Sequence, residues 1–129
     1  MNNKIKNAQK IFEKYNSVKL AYLFGSRATG EVGPNSDYDF AVFLDPRKKK
    51  TFFDTKLELL GNLVGALRTD KVDLVVLNNS ERPELNYEVI TNGKLIKEVE
   101  PAKLIVEPKI MNDYFDFIDS LRKHNLTRA

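Results

Sequence analysis

Cysteine is absent from the 129 residues. That absence excludes disulfides and thiolate metal centres, agrees with a reducing compartment, and leaves any metal site to carboxylates or to His124, the single histidine. Hard cations with oxygen ligands are therefore the candidates. Glycine and proline are also sparse, at 6 and 5 residues, while 42% of the chain is hydrophobic and 30% charged, which rules out a fibrous or disordered polymer. Long apolar runs are missing too. In "MNNKIKNAQKIFEKY" charged residues break every apolar cluster, and no window approaches the roughly 18 apolar residues of a membrane span. The chain reads as soluble, unexported and cytoplasmic. No segment repeats and no low-complexity spacer divides it, so a single domain over residues 1–129 with one core is expected.

The net charge of +3 and pI near 9.0 would suit an acidic partner, but basic residues are interleaved with acids along the chain. One basic run stands out, "RKKK" at Arg47 to Lys50. It reads either as a solvated strand-to-helix turn or as a contact for phosphate or a partner. Net charge by itself selects no ligand.

Hydrophobic periodicity orders the rest. Ile5, Ala8, Ile11, Phe12 and Tyr15 recur at helical spacing over about residues 3 to 15, and Asn16 and Ser17 end that helix. "VKLAYLF", Val18 to Phe24, is a strand, followed by a loop from Gly25 to Ser36 with room for one helical turn. A second strand, "DYDFAVFL", places Tyr38, Phe40, Val42 and Leu44 on one face and Asp37 and Asp39 on the other. Phe53, Leu57, Leu60, Val64 and Leu67 form an apolar stripe on a helix from Phe52 to Leu67. "KVDLVVL", Lys71 to Leu77, is a third strand in which Asp73 opposes Val72, Leu74 and Val76. A helix from Pro83 to Asn92, a short strand "KLIKEV", and a long last helix from Pro108 to His124 complete the chain. Met111, Tyr114, Phe115, Ile118 and Leu121 are expected to pack that helix on the core or to face a partner.

Asp37, Asp39 and Asp73 thus each sit opposite the apolar face of a strand, and converge on one side of the sheet if the strands are neighbours. Two carboxylates 5 to 6 Å apart repel by roughly 3 kcal/mol at an effective dielectric of about 20, so the cluster calls for a cation. Oxygen donors without thiolate suit Mg²⁺ or Mn²⁺, and Mg²⁺ commonly takes one or two carboxylates together with substrate phosphates. Local folding offers another reading: Asp37 ends a turn, Asp39 is simply exposed, and Asp73 pairs with Lys71 or Arg68. Gly25-Ser26, directly after a strand, favours the first, because glycine lets backbone N–H groups approach a ligand and a serine hydroxyl bonds phosphate. Arg27 either pairs with a β- or γ-phosphate or binds a nearby carboxylate or partner. Tyr38 points to the packed face, and His124, near a helix C-terminus, suits the dipole there.

Gly25-Ser26, ten residues, then Asp37-x-Asp39, with a later Asp73 in "VDLVVL", resembles the DNA polymerase beta-like nucleotidyltransferase superfamily. "YLFGSRATGEVGPNSDYDFAVFLD" and the short chain look most like the minimal nucleotidyltransferases, antitoxins that accompany HEPN-type RNase toxins. The resemblance implies an α+β fold, a small mixed sheet flanked by helices with a long C-terminal helix. It further implies that Gly25 and Ser26 hold the triphosphate of ATP, that Asp37 and Asp39 bind two metal ions, and that Asp73 completes the metal site and helps deprotonate the acceptor. Its implied reaction is AMP transfer to a hydroxyl, a tyrosine of the toxin, with neither membrane nor nucleic acid as direct substrate.

A small-molecule nucleotidyltransferase of the aminoglycoside-modifying kind is a second reading, although such enzymes usually carry a further helical domain for the acceptor. A third is an antitoxin that neutralises by binding alone, through exposed apolar residues of its last helix.

Overall fold

The computed structural model describes residues 3–33 and 36–124. Strand β1 (Val18–Phe24) is apolar at every position except Lys19, a composition that suits a strand covered on both faces. It lies inside a four-stranded sheet of order β3-β2-β1-β4, antiparallel to β2 (Tyr38–Leu44) and β4 (Lys94–Glu98), while β3 (Val72–Val76) runs parallel to β2. An irregularity between Val18 and Leu20 shifts the register, so that Val18, Ala21 and Leu23 serve one face and Leu20, Tyr22 and Phe24 the other.

Helices α1 (Asn3–Glu13) and α3 (Phe52–Leu67) cover the first face, and α4 (Pro83–Asn92) and α5 (Ala102–Lys123) the second. On the first, Phe12 and Phe40 are fully buried and meet edge to face at 5.5 Å between ring centroids. On the second, Val89, Val106 and Ile110 pack on Leu20, Tyr22 and Phe24, and Tyr87 of α4 stacks on Tyr114 of α5 at 4.0 Å. The expected α+β fold, a small mixed sheet flanked by helices with a long last helix, is what forms.

β4 also holds the end of α1. The Lys97 Nζ donates to the carbonyls of Phe12 and Tyr15 at 3.0 and 2.9 Å, adding a charged donor to oxygens that also accept from the Tyr15 and Val18 N–H groups in the turn after the helix. Burial, then the Lys19 charge, pulls its pKa down, which offsets part of the gain. Lys97→Met keeps the stem and removes both bonds. It is expected to lower unfolding stability by about 1–2 kcal/mol, read by urea denaturation, since hydrogen bonds to charged groups contribute about that much.

Two expectations from periodicity are corrected. The stripe of α3 that enters the core is Phe52, Leu59, Leu63 and Leu67; Phe53 and Leu57 are 70% and 51% exposed, with Leu60 only packed at the margin. Two apolar rows run along this helix, both at helical spacing, and contact with α1 and β3 selects between them. The last helix begins at Ala102, six residues before Pro108, which lies inside it. Ala102, Val106 and Ile110 form a stripe at i, i+4 and i+8 that fixes this first part to the sheet, while Pro108 faces solvent, where water can serve the backbone oxygen that loses its partner. Met111 and Phe115, expected either to pack on the core or to face a partner, are 39% and 55% exposed.

Candidate active site

The chain leaves β1 at Phe24, which pairs with Asp39 of β2. Gly25 follows with φ +74° and ψ −157°, a conformation that side-chain-bearing residues essentially avoid. The turn leads into one helical turn, α2 (Ser26–Thr29), closed by Gly30 at φ +88°, whose N–H donates to the Ser26 carbonyl at 3.0 Å. Glycine is required at position 25 for a second reason. A Cβ there would lie 2.5 Å from Asp39 Oδ2, so the backbone beside Ser26 rests against that carboxylate.

Parallel pairing of β2 with β3 sets Asp39 directly against Asp73, and because facing residues on neighbouring strands share a side of the sheet, the two carboxylates stand together. Both project away from the Tyr38 and Phe40 face. Asp37 precedes β2 and is exposed, as is Asp73, whereas Asp39 is half-buried. Burial first, then the charges of Asp73 and Asp37, push the Asp39 carboxyl above its usual range. Every one of these influences disfavours its ionised form. Asp73 Oδ1 accepts from the Leu74 N–H at 2.9 Å. Among the described residues no three His, Cys, Asp or Glu side chains are already gathered into a group that could hold a metal ion. The donor set nonetheless suits a hard cation shared between the Asp39–Asp73 pair and a ligand's phosphates.

Arg27 lies elsewhere. Its Nε and Nη2 donate to the Ser36 carbonyl at 3.2 and 2.9 Å, and its Cζ sits 3.8 Å from the centroid of the Tyr38 ring, on the opposite side of β2 from Asp39. Among the described residues these protein contacts are the ones the structure gives Arg27, and none of them is with a carboxylate. The sequence placed Ser36 only in the turn that leads to Asp37; three residues beyond Gly33, its Oγ accepts from the Gly33 N–H at 2.8 Å. His124 caps α5, with Nδ1 2.9 Å from the Ser120 carbonyl. The "RKKK" run forms an exposed 3-10 segment after β2, at the far end of that strand from Asp39, with Arg47 paired to Asp45 at 2.8 Å.

Residues 6–102 match the family described as "Polymerase beta, Nucleotidyltransferase". The protein adenylyltransferase MntA of Aphanizomenon flos-aquae (strain 2012/KM1/D3) is 32% identical over 99 residues, which make up 72% of this chain and 65% of that relative. A crystal structure of a toxin–antitoxin with AMP-PNP superposes with a TM-score of 0.75 at 26% identity, covering 95% of this chain and 94% of that one. Another, of the toxin–antitoxin MntA–HepT, gives 0.68 at 25% identity over 93% and 92% of the two chains. With three quarters of its length matched, this chain belongs to the polymerase beta nucleotidyltransferase family.

Proposed function

We propose that this protein is a metal-dependent adenylyltransferase that moves AMP from ATP to a hydroxyl, as the antitoxin of a toxin–antitoxin pair whose HEPN-type RNase carries the acceptor tyrosine. The observation that carries this reading is the register of β2 against β3, which puts Asp39 beside Asp73 with the Gly25-Ser26 turn packed on Asp39. The relative named as a protein adenylyltransferase and the toxin–antitoxin bound to AMP-PNP support it.

In this reading Gly25 and Ser26 bind the triphosphate and Asp37, Asp39 and Asp73 take two Mg²⁺ ions, or Mn²⁺ in their place. Bound there, such ions supply positive charge to both the attacking and the leaving oxygens of an in-line displacement. Asp73, exposed at the start of β3, accepts the proton of the acceptor hydroxyl. The hydroxyl oxygen forms a bond to the α-phosphorus of ATP, the bond from that phosphorus to the β-phosphate bridge breaks, and pyrophosphate leaves. Among the described residues no helix is long and apolar enough to cross a membrane. We place the reaction in the cytoplasm, with the toxin.

Incubation with α-labelled ATP, Mg²⁺ and a HEPN-type RNase should label the RNase and silence it, and Asp73→Asn should stop the labelling. Label that appears on an aminoglycoside and never on protein would move the assignment to the small-molecule enzymes. A second reading, neutralisation by binding alone, draws on the outer surface of α5, where Leu104, Ile105 and Phe115 are 77%, 64% and 55% exposed. Inhibition that survives Asp37→Asn with Asp39→Asn, without any transfer of label, would favour it.

A further inference from the structure

Arg27 joins two parts of the chain that the proposed reaction needs at a fixed separation. It follows Ser26, and its guanidinium donates twice to the carbonyl of Ser36, the residue before Asp37. The guanidinium lies over the ring of Tyr38, the residue between Asp37 and Asp39, with Cζ 3.8 Å from the ring centroid. Tyr38 is itself held: its ring is 4% exposed, runs parallel to that of Phe40 at 6.5 Å, and its N–H donates to the Lys71 carbonyl at 2.9 Å. Lys4 of α1 approaches the same ring at 5.8 Å, which adds to the attraction a π face exerts on cations. The Ser36 end is braced too, by its own exchange of hydrogen bonds with Gly33.

We infer that Arg27 is a positioning residue: it ties the Gly25-Ser26 turn to the segment bearing Asp37 and Asp39, and so sets the distance between a bound triphosphate and the carboxylates, without touching the nucleotide. This rests on the nucleotide reading above. Arginine suits the task where lysine does not, since a planar fork directs two N–H groups onto one oxygen while its face is free to lie over an aromatic ring. A displacement of about 1 Å between reacting groups can cost about 10²-fold in rate, so such a tie has functional weight even though it lies on the opposite face of the strand from the chemistry.

The test uses the intact protein and AMP-PNP as probe, titrated by calorimetry in Mg²⁺ and in EDTA. Arg27→Ala is expected to leave the EDTA affinity unchanged and to weaken the Mg²⁺-dependent affinity by about tenfold, the size of a lost charge-assisted hydrogen bond. Tyr38→Leu should do the same, Arg27→Lys should fail to rescue, and the double variant should lose little more than either alone, because the two residues act as one unit. Hydrogen exchange without nucleotide gives an independent reading. Amides 36–38 should exchange about tenfold faster in Arg27→Ala, on the same energetic scale, while those of α3 keep their protection. A loss of AMP-PNP affinity in EDTA that Arg27→Ala shows and Tyr38→Leu does not would make Arg27 a direct phosphate ligand and overturn the inference, as would unchanged exchange at 36–38. If the wild-type protein shows no Mg²⁺-dependent AMP-PNP binding, the nucleotide reading fails, and the proposed spacing role fails with it.

Discussion

Asp39→Asn is expected to abolish AMP transfer and, in the same protein, to raise the melting temperature measured without metal. The two effects have one cause. Folding raises the Asp39 pKa through burial and the neighbouring Asp73 and Asp37 charges. A carboxyl with a raised folded-state pKa favours the fold while protonated, below its unfolded value of 3.8, and that contribution disappears as pH rises through the higher folded value. At neutral pH the ionised side chain therefore opposes folding, and asparagine, of the same shape, removes the repulsion. The gain is of the size measured for partly exposed charge interactions, about 0.2–1 kcal/mol, or about 1–5 °C for a domain of this size. The catalytic loss runs the other way. If Asp39 holds cations against the transferring phosphoryl group as proposed, its removal forfeits several kcal/mol of transition-state stabilisation, roughly 10³-fold in rate. The gain in melting temperature should shrink when Mg²⁺ and AMP-PNP are added, since the wild type alone then gains a countercharge. A decrease in metal-free stability would show that Asp39 is a structural residue.

Gly25→Ala should damage both stability and activity. At φ +74° and ψ −157° an alanine is strained by about 1–3 kcal/mol. Its Cβ would in addition lie 2.5 Å from Asp39 Oδ2, so the carboxylate must rotate away or the turn must open. Either movement separates Ser26 from Asp39, and a shift of about 1 Å costs about 10²-fold in rate. Thermal denaturation and label transfer would measure the two losses. Gly30→Ala provides a control: that residue also has positive φ, at +88°, but nothing lies within 4 Å of its would-be Cβ. It should lose stability on a similar scale with a smaller loss of activity.

Why so much of the fold was legible, and the remainder not, follows from which interactions are local. β1 from Val18 to Phe24, α3 from Phe52 to Leu67 and α4 from Pro83 to Asn92 have the boundaries their composition implies, because Gly, Pro and Asn-Ser act on their own neighbours. The rotation of α3 about its axis was not legible, since Phe53 and Leu57 satisfy helical spacing as well as Leu59 and Leu63 do. The early start of α5 was hidden by Pro108 and by a stripe of small residues, Ala102 and Val106, whose apolar signal is weak. At the site, alternation along β2 and β3 indicated the face of each carboxylate. Placing Asp39 beside Asp73 required the parallel pairing of strands more than thirty residues apart, which no local pattern encodes. The contact of Arg27 with Tyr38 was beyond reach for the same reason, as it depends on how the loop between them closes.

The proposed reaction needs divalent cations gathered at the Asp39–Asp73 pair with a nucleotide's phosphates. Crystals grown with AMP-PNP and Mn²⁺ would test this directly, because manganese scatters anomalously and magnesium does not. Anomalous peaks within coordination distance, about 2.0–2.3 Å, of Asp39 and Asp73 oxygens and of the triphosphate are the expected result. Nucleotide bound at Gly25-Ser26 with no manganese at either carboxylate would contradict it.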